Sequence, residues 1–189
     1  GAIGGVLLGV IVGFFISVFF IRDLSKKSEE KDKFDGIYKF SLPFFVTTLV
    51  VLVMLSIDVL LARRFFDPDI AGKYAVLSTL GKIIFFGTAA IGKAMFPLTS
   101  EKFDENKETS GIFRKSFALI SILCLIAILF YFLIPNLIIT IAFGSKYTDM
   151  APMLGYMGIA ISLLSISNLI LLYGLATNRL RKPYLLIIF

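Results

Sequence analysis

Residues 116–142, SFALISILCLIAILFYFLIPNLIITIA, contain no charged residue. A transmembrane α-helix needs about 20 predominantly apolar residues, so this stretch is long enough to cross a bilayer. Pro135 lies late in the stretch, where it should kink the helix or end it early. Cys124 is the single cysteine of the chain, and we interpret it as a small buried hydrophobic side chain.

Composition favours a membrane protein, since 58% of the 189 residues are hydrophobic and only 17% are charged, whereas soluble domains average about 45–50% and about 25%. The length criterion selects four more windows and the start of another, at residues 1–21, 41–62, 74–98, 151–175 and 183 onward. Pro97 is expected to close the helix over residues 74–98. The sequence therefore predicts an all-α integral membrane protein, a polytopic helix bundle with about five complete transmembrane helices plus the start of a sixth.

Basic residues are distributed unevenly between the polar intervals. Intervals 22–40, 99–115 and 176–183 hold 13 Lys and Arg, whereas intervals 63–73 and 143–150 hold 4. Because basic residues concentrate in cytoplasmic loops, we expect the first three intervals to be cytoplasmic loops of a multi-pass protein in the cell membrane. Anionic lipid headgroups account for the net charge of +6 without a nucleic-acid partner.

Glycines recur at every fourth position of the first window and would form one smooth helix face. Such faces let transmembrane helices approach closely, so we interpret these residues as helix-packing positions. A sliding seam in a transporter is the alternative. The glycines are Gly1, Gly5, Gly9 and Gly13.

Three ionisable residues lie inside the predicted transmembrane windows: Asp58, Lys82 and Lys93. A charge near the centre of a membrane helix costs at least about 2.5–3.5 kcal/mol, so such groups seldom face lipid. Asp58 is expected to extend toward the outer interface, to pair locally with Arg63 or Lys82, or to line a substrate cavity. Lys82 lies roughly 13 Å from the outer start of its helix, near the bilayer midplane. It would either pair with Asp58 or face a cavity.

Lys82 and Lys93 are eleven residues apart, which is about three helical turns, so both project from nearly the same side. Gly81, Ala89 and Gly92 lie close by. Two cations on one face beside small residues suggest a water-filled cavity suited to an anionic substrate. For Lys93, which is near the cytoplasmic end, extension of the side chain to the interface is the alternative.

The window over residues 151–175 carries a polar stripe of Ser162, Ser165, Asn168 and Tyr173. Serines in membrane helices commonly hydrogen-bond to their own backbone or to a neighbouring helix, and lining of a substrate cavity is the alternative. The chain has no histidine, which excludes an ordinary triad base and imidazole metal sites. We expect no catalytic residue, no metal and no cofactor, and interpret the protein as a non-enzyme.

Two longer stretches resemble parts of polysaccharide flippases, which share a superfamily with the MATE multidrug exporters and the lipid II flippases. Residues 57–101 are similar to the start of the second lobe of a flippase, and residues 143–179 to a later outer loop and the tenth helix. The matching positions are Asp58, Pro68, Ala71, Gly72, Tyr74 and Pro97 in the first stretch, and Phe143, Gly144, Tyr147, Ala151, Pro152, Leu154 and Asn168 in the second.

The resemblance implies that the chain is a fragment of a longer transporter and covers most of its C-terminal lobe. Residues 1–21 would be the last helix of the N-terminal lobe, residues 22–40 a cytoplasmic inter-lobe linker, and residues 41–189 the C-terminal lobe. Two such lobes rock around a central cavity and expose it to each side of the membrane in turn. The implied partners are membrane lipids, a lipid-linked anionic glycan and the N-terminal lobe of the same polypeptide, with H⁺ or Na⁺ as candidate coupling ions.

The implied function is to flip a polyprenyl-diphosphate oligosaccharide from the inner to the outer leaflet for the biosynthesis of a surface polysaccharide such as O-antigen. A cation-coupled MATE-type multidrug exporter is the first alternative. It would favour acidic cavity groups, whereas this chain has one intramembrane acid and two lysines. A structural membrane subunit, in which Lys82 would be paired and dry, is the second. A membrane-embedded transferase would need a carboxylate or histidine cluster near an interface, which we do not find in the sequence.

Overall fold

The computed structural model describes residues 9–16 and 37–177. The chain divides into two compact units, Gly1–Tyr38 and Lys39–Phe189, and each is described by itself. Most of the predicted linker 22–40, up to residue 36, lies outside the described residues.

In the first unit, residues 9–16 form helix α1, in agreement with the first predicted window. A Cβ added at Gly9 or Gly13 would meet no heavy atom of another element within 4 Å. Gly1 and Gly5 lie outside the described residues. The packing role assigned to this glycine face therefore stays a prediction.

The rest of the described chain forms four long helices and two short ones. In chain order they are α2 (Ile37–Phe65), α3 (Pro68–Asp104), α4 (Ser110–Leu133), α5 (Pro135–Phe143), a 3₁₀ helix (Ser145–Met150) and α6 (Ala151–Ala176). By length and composition, four segments of the described residues can cross a membrane, and no strand occurs among these residues. The predicted all-α membrane bundle is confirmed. The apolar stretch from residue 183 onward lies outside the described residues.

Helix α3 is the longest element, with 37 residues. At 1.5 Å per residue it is about 55 Å long, so it extends well beyond the roughly 30 Å of bilayer hydrocarbon. It begins at Pro68, which suits the first helical turn because the N–H that proline lacks would have no partner there. The prediction that Pro97 ends this helix is wrong, since α3 continues through Pro97 to Asp104. The flanking residues Met95 and Thr99 are both buried, and packing on either side of the proline holds the helix together.

Pro135 has the opposite effect and separates α4 from α5. The helix predicted over residues 116–142 therefore ends early at this proline, which confirms one of the two expected outcomes. Ile134 leaves the helical conformation, with φ −134° and ψ 45°, because the ring of the following proline disfavours the α region. After α5 the chain turns at Gly144, whose φ of +91° is a conformation that glycine adopts without a Cβ clash.

The core of the second unit lies where α3, α4 and α6 meet, and α3 and α6 share the most extensive interface. Glycines permit these close approaches. A Cβ at Gly81 of α3 would lie 2.8 Å from Met157 of α6, and one at Gly158 of α6 would lie 2.9 Å from Tyr131 of α4. The side chains that are fully buried include Leu80, Met95, Ile120, Ile139, Leu154 and Leu169.

Helices α2 and α4 contribute less to this core. Half of the most apolar window of α3 is buried, compared with 17% for α2 and for α4. Large apolar side chains on α2, such as Leu52, Leu60 and Phe65, are exposed. In a membrane helix such surfaces suit contact with lipid.

Contacts at the two ends of the bundle agree with the predicted grouping of the polar intervals. At one end Lys73 forms an ion pair of 3.2 Å with Asp149, which joins intervals 63–73 and 143–150. At the other end the hydroxyls of Thr109 and Tyr173 lie 2.9 Å apart. The start of α4 and the end of α6 therefore lie together, as expected for intervals that share one side of the membrane.

Candidate intramembrane ion-pair site

The carboxylate of Asp58 on α2 accepts hydrogen bonds from three side chains of α3. The hydroxyl of Ser78 lies 2.6 Å from Oδ2, and the hydroxyl of Tyr74 lies 3.4 Å from the same oxygen. The ammonium of Lys82 lies 3.4 Å from Oδ1. These four residues form one polar cluster between two helices that are otherwise apolar here.

The sequence places the three donors on one helix face. Tyr74, Ser78 and Lys82 are spaced by four residues, and side chains at i and i+4 lie one above the other. This spacing is visible in the sequence, but a search for charged residues in apolar windows does not select the neutral hydroxyls of Tyr74 and Ser78. The signal that could have revealed the cluster is a run of hydrogen-bond donors at helical spacing, opposite a carboxylate on the preceding helix.

Burial makes the cluster costly unless its groups satisfy one another. Ser78 is fully buried, and the side chains of Lys82 and Asp58 are 18% and 23% exposed. A charge in such surroundings is stable only if it is paired and hydrogen-bonded. The structure thus places Lys82 opposite Asp58, one of the two arrangements expected for it, and Arg63 is exposed.

Pairing with Asp58 does not use the full capacity of Lys82. An ammonium has three N–H donors, and the bond to Oδ1 of Asp58 is the contact found for it among the described residues. Two donors therefore remain for another acceptor. An interaction with an anion at this position is compatible with the geometry.

Lys93 is exposed and lies on the same side of α3, about three turns from Lys82. Within the described residues no carboxylate lies within ion-pair distance of its ammonium. One turn further along, the ring of Phe96 packs against Phe44 of α2, with ring centroids 5.5 Å apart. Lys93 therefore lies between the ion pair and this aromatic contact.

The small residues beside the two lysines do not open onto a cavity in this structure. Gly81 and Gly92 are buried against α6, where an added Cβ would lie 2.8 Å from Met157 and 2.9 Å from Leu172. Ala89 packs against the core. The expectation that these small residues lie beside a water-filled cavity is therefore wrong for Gly81 and Gly92, which serve the packing of α3 on α6.

The predicted polar stripe on α6 is divided in the structure. Ser165 donates a hydrogen bond to the carbonyl of Ile161 at 3.0 Å, which is the backbone bonding commonly made by serine in membrane helices. Ser162 is buried, whereas Asn168 is partly exposed. No hydrogen bond or ion pair between described residues joins the stripe to Asp58 or Lys82.

A hydrogen bond from α4 fixes the position of α3 next to the ion pair. The hydroxyl of Tyr131 donates to the carbonyl of Leu80 at 2.7 Å, and both groups are buried. Leu80 precedes Lys82 by two residues, so the bond holds this turn of α3 against α4. This contact could not be predicted from the sequence, because hydropathy does not indicate where a buried tyrosine hydroxyl points.

The chain matches a known protein family. A family model described as polysaccharide biosynthesis protein matches residues 3–152, a range that includes Asp58, Lys82 and Lys93 and ends at the start of α6. No curated protein and no solved structure matches the chain. The match covers most of the chain and supports the predicted relation to polysaccharide flippases. The chain belongs to this family of polysaccharide biosynthesis proteins.

Proposed function

We propose that the protein is a membrane transporter that flips a lipid-linked, polyprenyl-diphosphate oligosaccharide from the inner to the outer leaflet. The observation that carries the proposal is the ammonium of Lys82, which lies in the apolar span of α3 on a helix face that also presents the exposed Lys93. Membership in a polysaccharide biosynthesis family makes a glycan intermediate the natural cargo.

The charge of the cargo explains why lysines would lie on this path. A diphosphate must lose water to cross hydrocarbon, and an unpaired charge is expensive there. Charge-assisted hydrogen bonds from an ammonium would offset that cost. Lys93 and Lys82 are separated by roughly 16 Å along α3, so an anion could pass from one to the other.

The proposal also covers orientation and partners. Loops 22–40, 99–115 and 176–183 would be cytoplasmic in the cell membrane, as their 13 basic residues indicate. Lys93 would then lie nearer the cytoplasmic side, where the cargo is loaded. The N-terminal lobe of the same polypeptide would complete the cavity, and the two lobes would alternate between inward-facing and outward-facing states.

The ion pair also bears on the alternatives. In a cation-coupled drug exporter, Asp58 would need to accept a cationic substrate, but its carboxylate already accepts bonds from Ser78, Tyr74 and Lys82. A purely structural role for Lys82 has a specific observation in its favour, since the ion pair alone would justify a lysine here. An experiment must therefore separate pairing from cargo binding.

The test compares Lys82→Met with the double variant Asp58→Asn/Lys82→Met. The single variant leaves Asp58 without its counter-ion, so loss of function alone would be ambiguous. The double variant removes both charges. If Lys82 contacts the cargo, both variants should lose surface polysaccharide while the protein remains folded in the membrane.

The matched control is Lys107→Met, because Lys107 is an exposed lysine paired with Glu105 outside the apolar core. It should leave surface polysaccharide unchanged. Surface polysaccharide is measured by immunoblot, and protein abundance in isolated membranes is measured in parallel. Normal polysaccharide in the double variant would refute cargo binding by Lys82 and would support the structural role.

A further inference from the structure

The turn of α3 that carries Lys82 is held by two other helices. On α2, the carboxylate of Asp58 contacts Ser78 and Lys82. On α4, the hydroxyl of Tyr131 donates a hydrogen bond of 2.7 Å to the carbonyl of Leu80, which lies midway between Ser78 and Lys82 in the sequence. Leu80 and Lys82 are separated by about 200° around the helix axis. The two helices therefore hold this turn from different sides.

The bond from Tyr131 gives the contact between α3 and α4 a direction. It is the hydrogen bond that joins these two helices among the described residues. The other buried side chains of α4 are Ile120 and Cys124, which pack as apolar groups. Apolar contacts are non-directional and tolerate small shifts, whereas a hydrogen bond weakens steeply as its geometry changes. The position of α3 relative to α4 therefore depends on Tyr131.

The ring of Tyr131 is itself fixed in place by α6. Tyr131 is buried, and a Cβ added at Gly158 of α6 would lie 2.9 Å from Cδ2 of the ring and 3.7 Å from Ile84 of α3. The ring thus occupies the space that a side chain at position 158 would need. Its hydroxyl is a fixed point against which the turn around Leu80 is located.

A small displacement of this turn is enough to separate the ion pair. The ammonium of Lys82 lies 3.4 Å from Oδ1 of Asp58, already longer than the usual range of about 2.7–3.2 Å. Because Cα atoms lie about 2.3 Å from the helix axis, rotating α3 by about 20° moves them by roughly 0.8 Å. The ammonium lies at the end of a long side chain, farther from the axis, and moves farther. Such a rotation away from α2 would break the contact.

We propose that Tyr131 is a positioning residue for Lys82. Through the carbonyl of Leu80 it sets the distance between the ammonium of Lys82 and the carboxylate of Asp58, and with it the place where Lys82 presents its remaining donors to an anionic ligand. No hydrogen bond between described residues joins Tyr131 to Asp58 or Lys82, so it acts through α3. The part that concerns the ligand rests on the proposed function, and the part that concerns the ion pair does not.

The first experiment is a double-mutant cycle on the ion pair. The Tm is measured for the wild-type protein, Asp58→Asn, Lys82→Met and the double variant, and then for the same four proteins with Tyr131→Phe added. The non-additivity of the Tm shifts reports the interaction of Asp58 with Lys82. If Tyr131 positions the pair, Tyr131→Phe should reduce this non-additivity by at least about half.

A bond that only adds stability would lower all four Tm values equally and leave the non-additivity unchanged, and this result would overturn the inference. A wild-type cycle without non-additivity would overturn it too, since there would be no interaction to position. The matched control is Thr109→Val, which removes the hydroxyl contact of 2.9 Å with Tyr173 at the other end of α4. Thr109 makes no side-chain cap for α4, so this change also removes one hydrogen bond, and it should leave the non-additivity intact.

The second experiment measures binding of geranylgeranyl diphosphate to the protein in lipid nanodiscs, and it needs no variant of Asp58 or Lys82. Tyr131→Phe should raise the Kd for the diphosphate by roughly 2–13-fold, the range set by the loss of one hydrogen bond, whereas Thr109→Val should leave it unchanged. An equal Kd for Tyr131→Phe and the wild-type protein would overturn the inference while the proposed function stands. Failure of the folded wild-type protein to bind the diphosphate would overturn the proposed function, and the double-mutant cycle would still decide whether Tyr131 positions the ion pair.

Discussion

Gly81 and Gly87 lie six residues apart on α3, and they differ sharply in their surroundings. Gly81 is buried against α6, where an added Cβ would lie 2.8 Å from Cγ of Met157 and 3.0 Å from Cγ1 of Ile161. Gly87 is exposed, and a Cβ there would meet no other heavy atom within 4 Å. Replacing each with alanine therefore tests how closely α3 and α6 approach.

The magnitude follows from the difference between the two variants. Both replacements gain the same helix propensity, about 1 kcal/mol in favour of alanine. Only Gly81→Ala also overpacks an interface, which typically costs about 1–3 kcal/mol. Ile161 is β-branched and nearly buried, so its side chain has little freedom to move aside. Gly81→Ala should therefore be about 1–3 kcal/mol less stable than Gly87→Ala.

The assay is thermal unfolding of both variants in detergent micelles, followed by circular dichroism at 222 nm. One kcal/mol shifts the Tm of a chain of 150–250 residues by about 2–4 °C, so the two Tm values should differ by roughly 2–12 °C. Equal Tm values for Gly81→Ala and Gly87→Ala would refute the close α3–α6 contact, because the propensity gain is common to both.

Two further predictions test other parts of the bundle. Tyr131→Phe keeps the ring but removes the hydrogen bond to the carbonyl of Leu80. This change should lower the free energy of unfolding by about 0.5–1.5 kcal/mol. An unchanged Tm would show that this bond does not form. The second prediction concerns orientation in the membrane. A membrane-impermeant maleimide added to intact cells should label Lys146→Cys but not Lys107→Cys, and the buried native Cys124 should stay unlabelled. Labelling of Lys107→Cys but not of Lys146→Cys would contradict the proposed sidedness.

Hydropathy located the transmembrane helices because a bilayer requires a minimum length of apolar residues, but it could not decide what each proline does. Pro97 and Pro135 impose the same local constraint. Ile134, before Pro135, is β-branched and about a third exposed. Few packing contacts therefore oppose its departure from the helical φ/ψ region. At Pro97 the buried Met95 and Thr99 hold the helix on both sides. The difference comes from tertiary packing, which periodicity does not report.

Part of the site could also be predicted from the sequence, because charges in apolar windows are costly and therefore stand out. Asp58 and Lys82 were identified as the costly groups in the apolar windows, and their mutual contact was one of two stated alternatives. Choosing between them required the position of Asp58 relative to α3 along the membrane normal. Asp58 contacts Ser78 and Phe44 contacts Phe96, so α2 and α3 are antiparallel, and the turn at Asp67 places Asp58 roughly level with residue 76. Lys82 is then about 9 Å further along the axis at 1.5 Å per residue.

The direction of the side chains accounts for how that distance is bridged. In an α-helix each Cα–Cβ bond tilts toward the helix N-terminus. The N-terminus of α3 is at the turn, so Lys82 leans back toward the turn and toward the level of Asp58. The N-terminus of α2 is at the opposite end, so Asp58 leans away from the turn and toward Lys82. Two antiparallel helices thus incline these side chains toward each other, and Ser78 lies between their levels to hold the second carboxylate oxygen.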